Sequence, residues 1–350
     1  MPDAVSAPES ARTSSMRGAR RGITHHGARP GGAVLALCAL ALVAGCAARP
    51  NLAKATFPRT TVPASGSSVS GGSSSSGATN VTFSLATLSR TDPCGLLDNS
   101  TLAALGAPAA PSASGFDACS DYMKDTGGNE LNVTVTLGSS IDDTPNTVIF
   151  GMPVAEKPLA DGSGCYERII TQNTPTEGIE IEVDGKDPCT PARKLAQTVV
   201  SRMRTNPPTR SDYENSLAGY DPCKVVDDNT AAATVGANPS KSRDSLYKCD
   251  WQGADTDLTV AFALDQDPKT DDALGTPMPV DLGNGITAYS VLTTDVFPAC
   301  EVKWIVKPGG SDANQIADVE FDDINKINVD VCAKADAVAK VVQSNLPTLS

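Results

Sequence analysis

The second part of the chain alternates apolar and polar residues in short segments, and two later segments have a helical period. Period-two alternation predicts half-buried antiparallel strands. It occurs at 131–137, 165–171, 179–183, 258–264, 286–292 and 300–306. Apolar residues recur every three or four positions after Cys189 and again after Cys332, as in helices packed on one side. The order helix, several strands, helix predicts an α+β fold.

Eight cysteines divide this region into two similar halves. They are Cys94, Cys119, Cys165 and Cys189, and then Cys223, Cys249, Cys300 and Cys332. Asp-Pro-Cys opens each set, and the helical stripe Ala192, Leu195, Ala196 and Val199 recurs as Ala335, Val338, Ala339 and Val342. These matches predict a duplication, with one module at 85–206 and a second at 212–350. Each module is expected to be an antiparallel sheet with two helices packed on one face.

The ends of the predicted helices carry local signals. Asp92, Asp187, Asp221 and Asp330 stand where an N-cap would accept the free N–H groups of a first turn. Gly106 and Gly236 are expected to end the two opening helices. The boundary between the modules is expected at 204–211, where two prolines follow the first long helix.

The N-terminal segment has the three parts of an export signal. An arginine-rich stretch precedes an apolar run at 33–44, which is too short to cross a hydrocarbon core. The next residues, Val43-Ala44-Gly45-Cys46, resemble the bacterial lipobox. We therefore expect a signal peptide at 1–45, whose true start could be Met16, cleavage before Cys46, and a palmitate-bearing lipid on that cysteine. Arg20-Arg21 leaves both the general and the twin-arginine export routes open.

The segment 46–84 is rich in Ser, Gly, Pro and Thr, which predicts a flexible tether with a reach of roughly 30–35 Å. The chain has a net charge of −13, with 28 basic and 41 acidic residues. Since residues 1–45 hold five arginines and only two acidic residues, the remainder is near −16. So acidic a surface repels polyanions, which makes nucleic acid an improbable partner.

An even number of cysteines in an exported chain predicts disulfide bonds. Four cysteines allow three pairings in each half, and we favour helix-to-helix and strand-to-strand bonds. The expected pairs are Cys94–Cys189, Cys119–Cys165, Cys223–Cys332 and Cys249–Cys300. The helix-to-helix bonds would close loops of roughly 100 residues and contribute up to about 4 kcal/mol each in the chain-entropy model.

Several short motifs resemble a family of cysteine-rich lipoproteins of high-GC Gram-positive bacteria that has no assigned activity. They are the Asp-Pro-Cys helix starts, the strand cysteines of Ala118-Cys119 and Lys248-Cys249-Asp250-Trp251, and the late Asp187-Pro188-Cys189 helix. The resemblance covers roughly residues 88–349, once per module. It implies an envelope location and disulfide bonding, and it supplies no catalytic residues.

Catalytic chemistry has few candidates. The only histidines, His25 and His26, lie in the predicted signal peptide, which removes histidine-based catalysis and histidine-ligated zinc from the mature chain. Adjacent acidic pairs at 142–143, 227–228, 271–272 and 322–323 are interpreted as a solvated acidic surface, with a hydrolase as the alternative. Asp265, Asp267 and Asp271 only faintly resemble a calcium loop. Trp251, Tyr247 and Trp304 are expected in the core, or else along a ligand groove.

These observations favour a protein that is not an enzyme and needs no cofactor or metal. We expect a lipoprotein held at the outer face of the cell membrane, acting as a binding or scaffolding module on an envelope protein or a wall component. Two linked copies would gain avidity without new contacts. The alternatives are a surface carrier of a lipid or small ligand, and a carboxylate-based hydrolase.

Overall fold

The structure, a computed structural model, describes residues 83–173, 176–271, 275–310 and 313–349. These residues form two antiparallel sheets with accompanying helices, which confirms the predicted α+β class. The predicted signal peptide, Cys46 and all but the last two residues of the predicted tether lie outside this part of the chain. Within it, no helix is both long enough and apolar enough to cross a membrane.

The first sheet contains eight strands, and its main path runs in the order β1-β3-β4-β8-β7-β6-β5, with β2 paired to β3. The strands are β1 (Gly106–Ala107), β2 (Ser112–Ala113), β3 (Ala118–Asp125), β4 (Glu130–Ser140), β5 (Thr147–Ile149), β6 (Met152–Pro158), β7 (Gly164–Asn173) and β8 (Thr176–Gly185). The predicted segments at 131–137, 165–171 and 179–183 lie within β4, β7 and β8.

The second sheet contains seven strands in the order β12-β13-β14-β15-β11-β10-β9. The strands are β9 (Ser240–Ser245), β10 (Lys248–Gln252), β11 (Thr256–Asp265), β12 (Met278–Gly283), β13 (Ile286–Thr293), β14 (Ala299–Lys307) and β15 (Asn314–Asp323). The predicted segments at 258–264, 286–292 and 300–306 lie within β11, β13 and β14. Alternation along the chain therefore located six of the fifteen strands described.

Two long helices close the two halves, and shorter ones open them. The helices are α1 (Leu85–Arg90), α2 (Pro93–Leu96), α3 (Asn99–Leu102), α4 (Cys189–Thr205), α5 (Pro222–Val225), α6 (Asp228–Val235) and α7 (Val331–Asn345), with 3-10 turns at Tyr213–Asn215 and Leu217–Gly219. The predicted apolar stripes of α4 and α7 are buried.

The expected single helix at the start of each half is wrong, because each is broken in two. Asp98 and Asp227 interrupt them: each accepts a backbone N–H, from Thr101 and Thr230 respectively, at 2.9 Å, and so begins a second short helix. Each half therefore has more than the two helices expected.

Three of the four predicted N-caps are confirmed, since Asp92, Asp221 and Asp330 each accept an N–H of the first turn. Asp187 is not a cap: it has a φ of 51°, and Pro188 directly precedes α4. Gly236 ends α6 as predicted. Gly106 instead lies in β1, where a Cβ atom would stand 1.9 Å from the carbonyl oxygen of Lys124.

All eight cysteines of the two sets form disulfides, but every predicted pairing is wrong. The bonds are Cys94–Cys119, Cys165–Cys189, Cys223–Cys249 and Cys300–Cys332. Each joins the start of a helix to a strand beneath it. Cys119 and Cys165 cannot meet, because β4 and β8 lie between their strands and three strand spacings amount to about 14 Å. β11 and β15 separate Cys249 from Cys300 in the same way.

The two halves are in direct contact, and Leu246 and Tyr247 of the second half lie at the centre of that contact. Leu246 packs on Gly138 of β4, where an added Cβ would stand 2.3 Å from the Cγ atom of Leu246. The Tyr247 ring lies 5.2 Å from that of Phe116, and its hydroxyl donates to the carbonyl oxygens of Ser89 and Ala218. Both side chains are buried, so the two sheets pack through a shared apolar centre.

Candidate functional sites

A buried ion network crosses the contact between the two halves. Glu177 of β8 is fully buried, and its Oε1 lies 3.8 Å from Nε of Arg243 on β9. Arg243 also donates from Nη2 to Asp221 Oδ1 at 2.6 Å. Burial raises the pKa of Glu177, an effect that Arg243 opposes and Asp221 reinforces. Arg243 therefore holds one carboxylate from each half.

A cavity of about 410 Å³ opens beside this network, between α1 and the second half. Its lining combines three tyrosines with charged and amide groups: Tyr213, Tyr220, Tyr247, Asp221, Lys224, Arg243 and Gln172. Of the three aromatic residues proposed from the sequence, Tyr247 alone lines this cavity. Trp251 and Trp304 are 1% and 0% exposed and belong to the core, as expected. The cavity can hold a small ligand with both apolar and hydrogen-bonding groups.

A second, larger groove of about 650 Å³ lies at one end of the first sheet. Tyr122, Asn132 and Asp184 are paired in register across β3, β4 and β8, so their side chains project from the same face, opposite the disulfides. Tyr122 is 72% exposed. Among the exposed large hydrophobic residues in the described part of the chain, this is the highest fraction. The groove thus has an aromatic wall beside polar groups.

The polar side of this groove is formed by the side chains of Asn132 and Asp184. The side-chain amide of Asn132 donates from Nδ2 to Asp184 Oδ2 at 3.4 Å. The Asn132 Oδ1 atom is buried and has no donor among the described residues. Gly164 of β7 is paired with Asp184 and leaves room for its side chain. A Cβ atom at Gly164 would lie 2.5 Å from Asp184 Oδ1. An amide, a carboxylate and a flat ring together suit a hydroxylated ring such as a sugar.

Glu156 and Glu167 form an acidic pair that the sequence analysis missed. They face each other across β6 and β7, and Arg193 of α4 donates from Nε to Glu156 Oε2 at 2.9 Å. Burial raises the pKa of Glu167 to about 8, and the neighbouring Glu156 adds to the rise. The sequence did contain a signal for Glu167. It stands two residues from both Cys165 and Ile169, so it is expected on the same inward face of the strand.

Four carboxylates of the adjacent acidic pairs considered from the sequence have clear partners among the described residues. Asp143 is ion-paired with Lys157 at 2.9 Å and with Arg168. Asp227 caps α6, and Asp323 accepts the backbone N–H groups of Ile327 and Asn328. Asp271 lies 3.6 Å from Nζ of Lys303. Each of these carboxylates is therefore engaged in a helix cap, an ion pair or backbone hydrogen bonds of a loop.

The faint resemblance to a calcium loop is not supported by the geometry. Asp267 accepts the backbone N–H of Lys269, as in an ordinary turn. Nowhere in the described ranges do three or more His, Cys, Asp or Glu side chains form a group that could hold a metal ion.

Comparisons with family models, with curated proteins and with solved structures found no match for the chain.

Proposed function

We propose that this chain is a lipoprotein anchored through Cys46 to the outer face of a membrane, and that its folded part is a non-catalytic module that binds a wall component or an envelope protein. The order of arginine-rich stretch, short apolar run and lipobox-like residues supports the anchor. The motif resemblance to cysteine-rich envelope lipoproteins supports the same location.

Two features support the proposal that the halves arose by duplication. The strands follow one path in both sheets, if β5 to β8 are matched to β12 to β15, and β4 and β3 to β11 and β10. Each half also has one disulfide from its opening helix and one from its closing helix, to equivalent strands.

The groove at Tyr122 is the observation that carries the binding function. An aromatic ring that is 72% exposed beside an amide and a carboxylate gives no stability to the fold in that position, but it offers stacking and hydrogen bonds to a ligand. The acidic chain disfavours polyanionic ligands. An uncharged glycan of the wall can stack on the ring and form hydrogen bonds, and it carries no negative charge for the acidic chain to repel.

A photocrosslinking amino acid at position 122 in intact cells tests this function. The matched control is Gln252, which is exposed on β10 and stands three residues after Cys249, as Tyr122 stands three after Cys119. We expect an adduct at 122 that wall digestion converts to a smaller glycan-bearing species, and little adduct at 252. Equal labelling at the two positions, or no adduct at 122, would contradict the proposal.

The lipid anchor needs its own test. In cells given a labelled fatty acid, Cys46→Ala should abolish incorporation of the label and leave unprocessed precursor. Lipid label that survives this change would show that Cys46 is not the anchor.

The cavity between α1 and the second half favours a second candidate function, a carrier of a small ligand. Ala86 is exposed and lines the cavity, so Ala86→Trp would fill it without disturbing the core. Native mass spectrometry should then show a co-purifying mass on the wild-type protein that the variant lacks. Neither Glu156 nor Glu167 lines this cavity or the Tyr122 groove, so the pair does not support the hydrolase alternative.

A further inference from the structure

The hairpin between β5 and β6 turns through a phenylalanine in a left-handed conformation. Ile149 and Met152 are paired, so Phe150 and Gly151 form a two-residue turn, with φ angles of 48° and 84°. Such turns require positive φ at both positions and favour Asn-Gly, because a bulky side chain is strained there. Phenylalanine is therefore a poor choice for the stability of this turn.

The matching hairpin of the second sheet shows the usual solution. There Asn284 and Gly285 have φ angles of 54° and 77° at the turn between β12 and β13. β5 and β12 are both terminal strands, and both pair with the next strand along the chain. The same turn thus carries asparagine in one half and a strained aromatic residue in the other.

The strained side chain does not pack into the core. Phe150 is 55% exposed, and Val148 on the same hairpin is 65% exposed, while Ile149 and Met152 are buried. Arg204, near the end of α4, donates from Nη2 to the carbonyl oxygen of Phe150 at 2.8 Å, and its guanidinium lies 6.0 Å from the ring. The hairpin tip therefore presents two large apolar side chains and one cation, in a fixed position.

We propose that this hairpin tip, consisting of Val148 and Phe150 with Arg204 beside them, inserts into the surface layer of the membrane that holds the lipid anchor. The inference rests on the proposed anchor at Cys46. A tether with the reach predicted from the sequence keeps the domain at a high effective concentration near the lipid, so a weak contact suffices to orient it. Two side chains are far too few for a stable protein–protein interface.

The chemistry of the tip fits a lipid surface. Phe and Val enter the boundary between head groups and acyl chains, and an arginine at that level meets the lipid phosphates. The rest of the chain is strongly acidic, so it stays away from an anionic surface. Contact is thereby confined to this one point of the domain.

Depth-dependent fluorescence quenching tests the insertion. The mature chain from Cys46, with its other eight cysteines oxidised, would be coupled through Cys46 to a maleimide lipid in phosphatidylcholine vesicles containing phosphatidylglycerol. We expect a Phe150→Trp variant to show a blue shift, and brominated acyl chains to quench most of its added emission. The matched Asn284→Trp variant should show neither effect, and the buried Trp251 and Trp304 give a constant background.

The strained turn allows a second test, in which one substitution should stabilise the fold and at the same time weaken the contact with the membrane. Phe150→Asn should raise the melting temperature by about 2–4 °C, because asparagine tolerates the turn. In vesicles, brominated acyl chains should quench a Val148→Trp variant, whose added side chain stays apolar and exposed, and adding Phe150→Asn should abolish that quenching. An unquenched Phe150→Trp variant, or unchanged quenching of Val148→Trp after Phe150→Asn, would overturn the inference. Because the lipid is attached chemically, either result is independent of whether cells lipidate Cys46.

Discussion

Glu167 is a residue whose protonation is set by its place in the fold. It is fully buried between β7 and α4, opposite Glu156, while Arg193 keeps Glu156 ionised. Two carboxyl groups in one low-dielectric site do not both ionise readily, so near neutral pH Glu167 is protonated, because its pKa is raised, while the pKa of Glu156 is lowered. This arrangement makes stability depend on pH in a predictable direction.

Glu167→Gln should remove that dependence. A carboxyl group with a pKa of about 8 in the folded state and about 4.5 when unfolded binds more protons when folded, so its contribution is present below about pH 4.5 and is lost as pH rises through about 8. At pH 9 the variant should be more stable than wild type by roughly 1–3 kcal/mol, and at pH 4 equally stable. Urea unfolding at both pH values measures this. The exposed Glu130→Gln is the control, and an equal effect at both pH values would contradict the raised pKa of Glu167.

In each half, the disulfides join cysteines that are close in the sequence, so each bond closes a short loop of chain. Cys165–Cys189 and Cys300–Cys332 fasten the long helices α4 and α7 to the strands β7 and β14 on which they pack. The paired cysteines are 24 and 32 residues apart, so each bond limits the unfolded chain only locally.

Replacing Cys165 and Cys189 together by serine should destabilise the first half by about 3.5 kcal/mol, the value that the chain-entropy model gives for a loop of this size. Non-reducing peptide mapping of the wild-type protein should first yield linked peptides for Cys94–Cys119 and Cys165–Cys189. A map that links Cys94 to Cys189 would refute the connectivity described above.

At the scale of the whole molecule, the two sheets are coupled by Leu246, Tyr247 and the Glu177–Arg243–Asp221 network. Removing one partner from a buried ion pair leaves an uncompensated charge, which is far worse than replacing both partners by apolar groups. We therefore expect the two halves to unfold together.

Arg243→Leu should lower the free energy of unfolding by about 3–5 kcal/mol and separate the single transition into two. Combining it with Glu177→Leu should recover much of this loss, because the stranded carboxylate is gone. Calorimetry of the single and double variants measures both effects. A control, Lys241→Leu on the same strand, removes an ion pair with the exposed Asp228 and a contact with the Trp251 ring, and it should cost much less. A loss within that of the control would show that the halves are not coupled through Arg243.

The sequence by itself determined six of the strands, the long helices, the N-caps at Asp92, Asp221 and Asp330, and the participation of eight cysteines in disulfides. These depend on periodicity and on contacts within a few residues. Glu156 and Glu167, the Tyr122 groove and the cavity beside Arg243 required the tertiary structure, because their members come from different strands or from different halves.

The disulfide pairing shows the physical reason most clearly. The residues around Cys119 and Cys165 predict strands, but they carry no information on which strands lie side by side. The chain inserts β4 and β8 between them, so each cysteine is left beneath its own helix. Likewise, no sequence pattern predicted the hairpin at 147–152, and only the backbone angles show that Phe150 is strained. Local pattern determined the elements, and strand order in three dimensions decided which side chains meet.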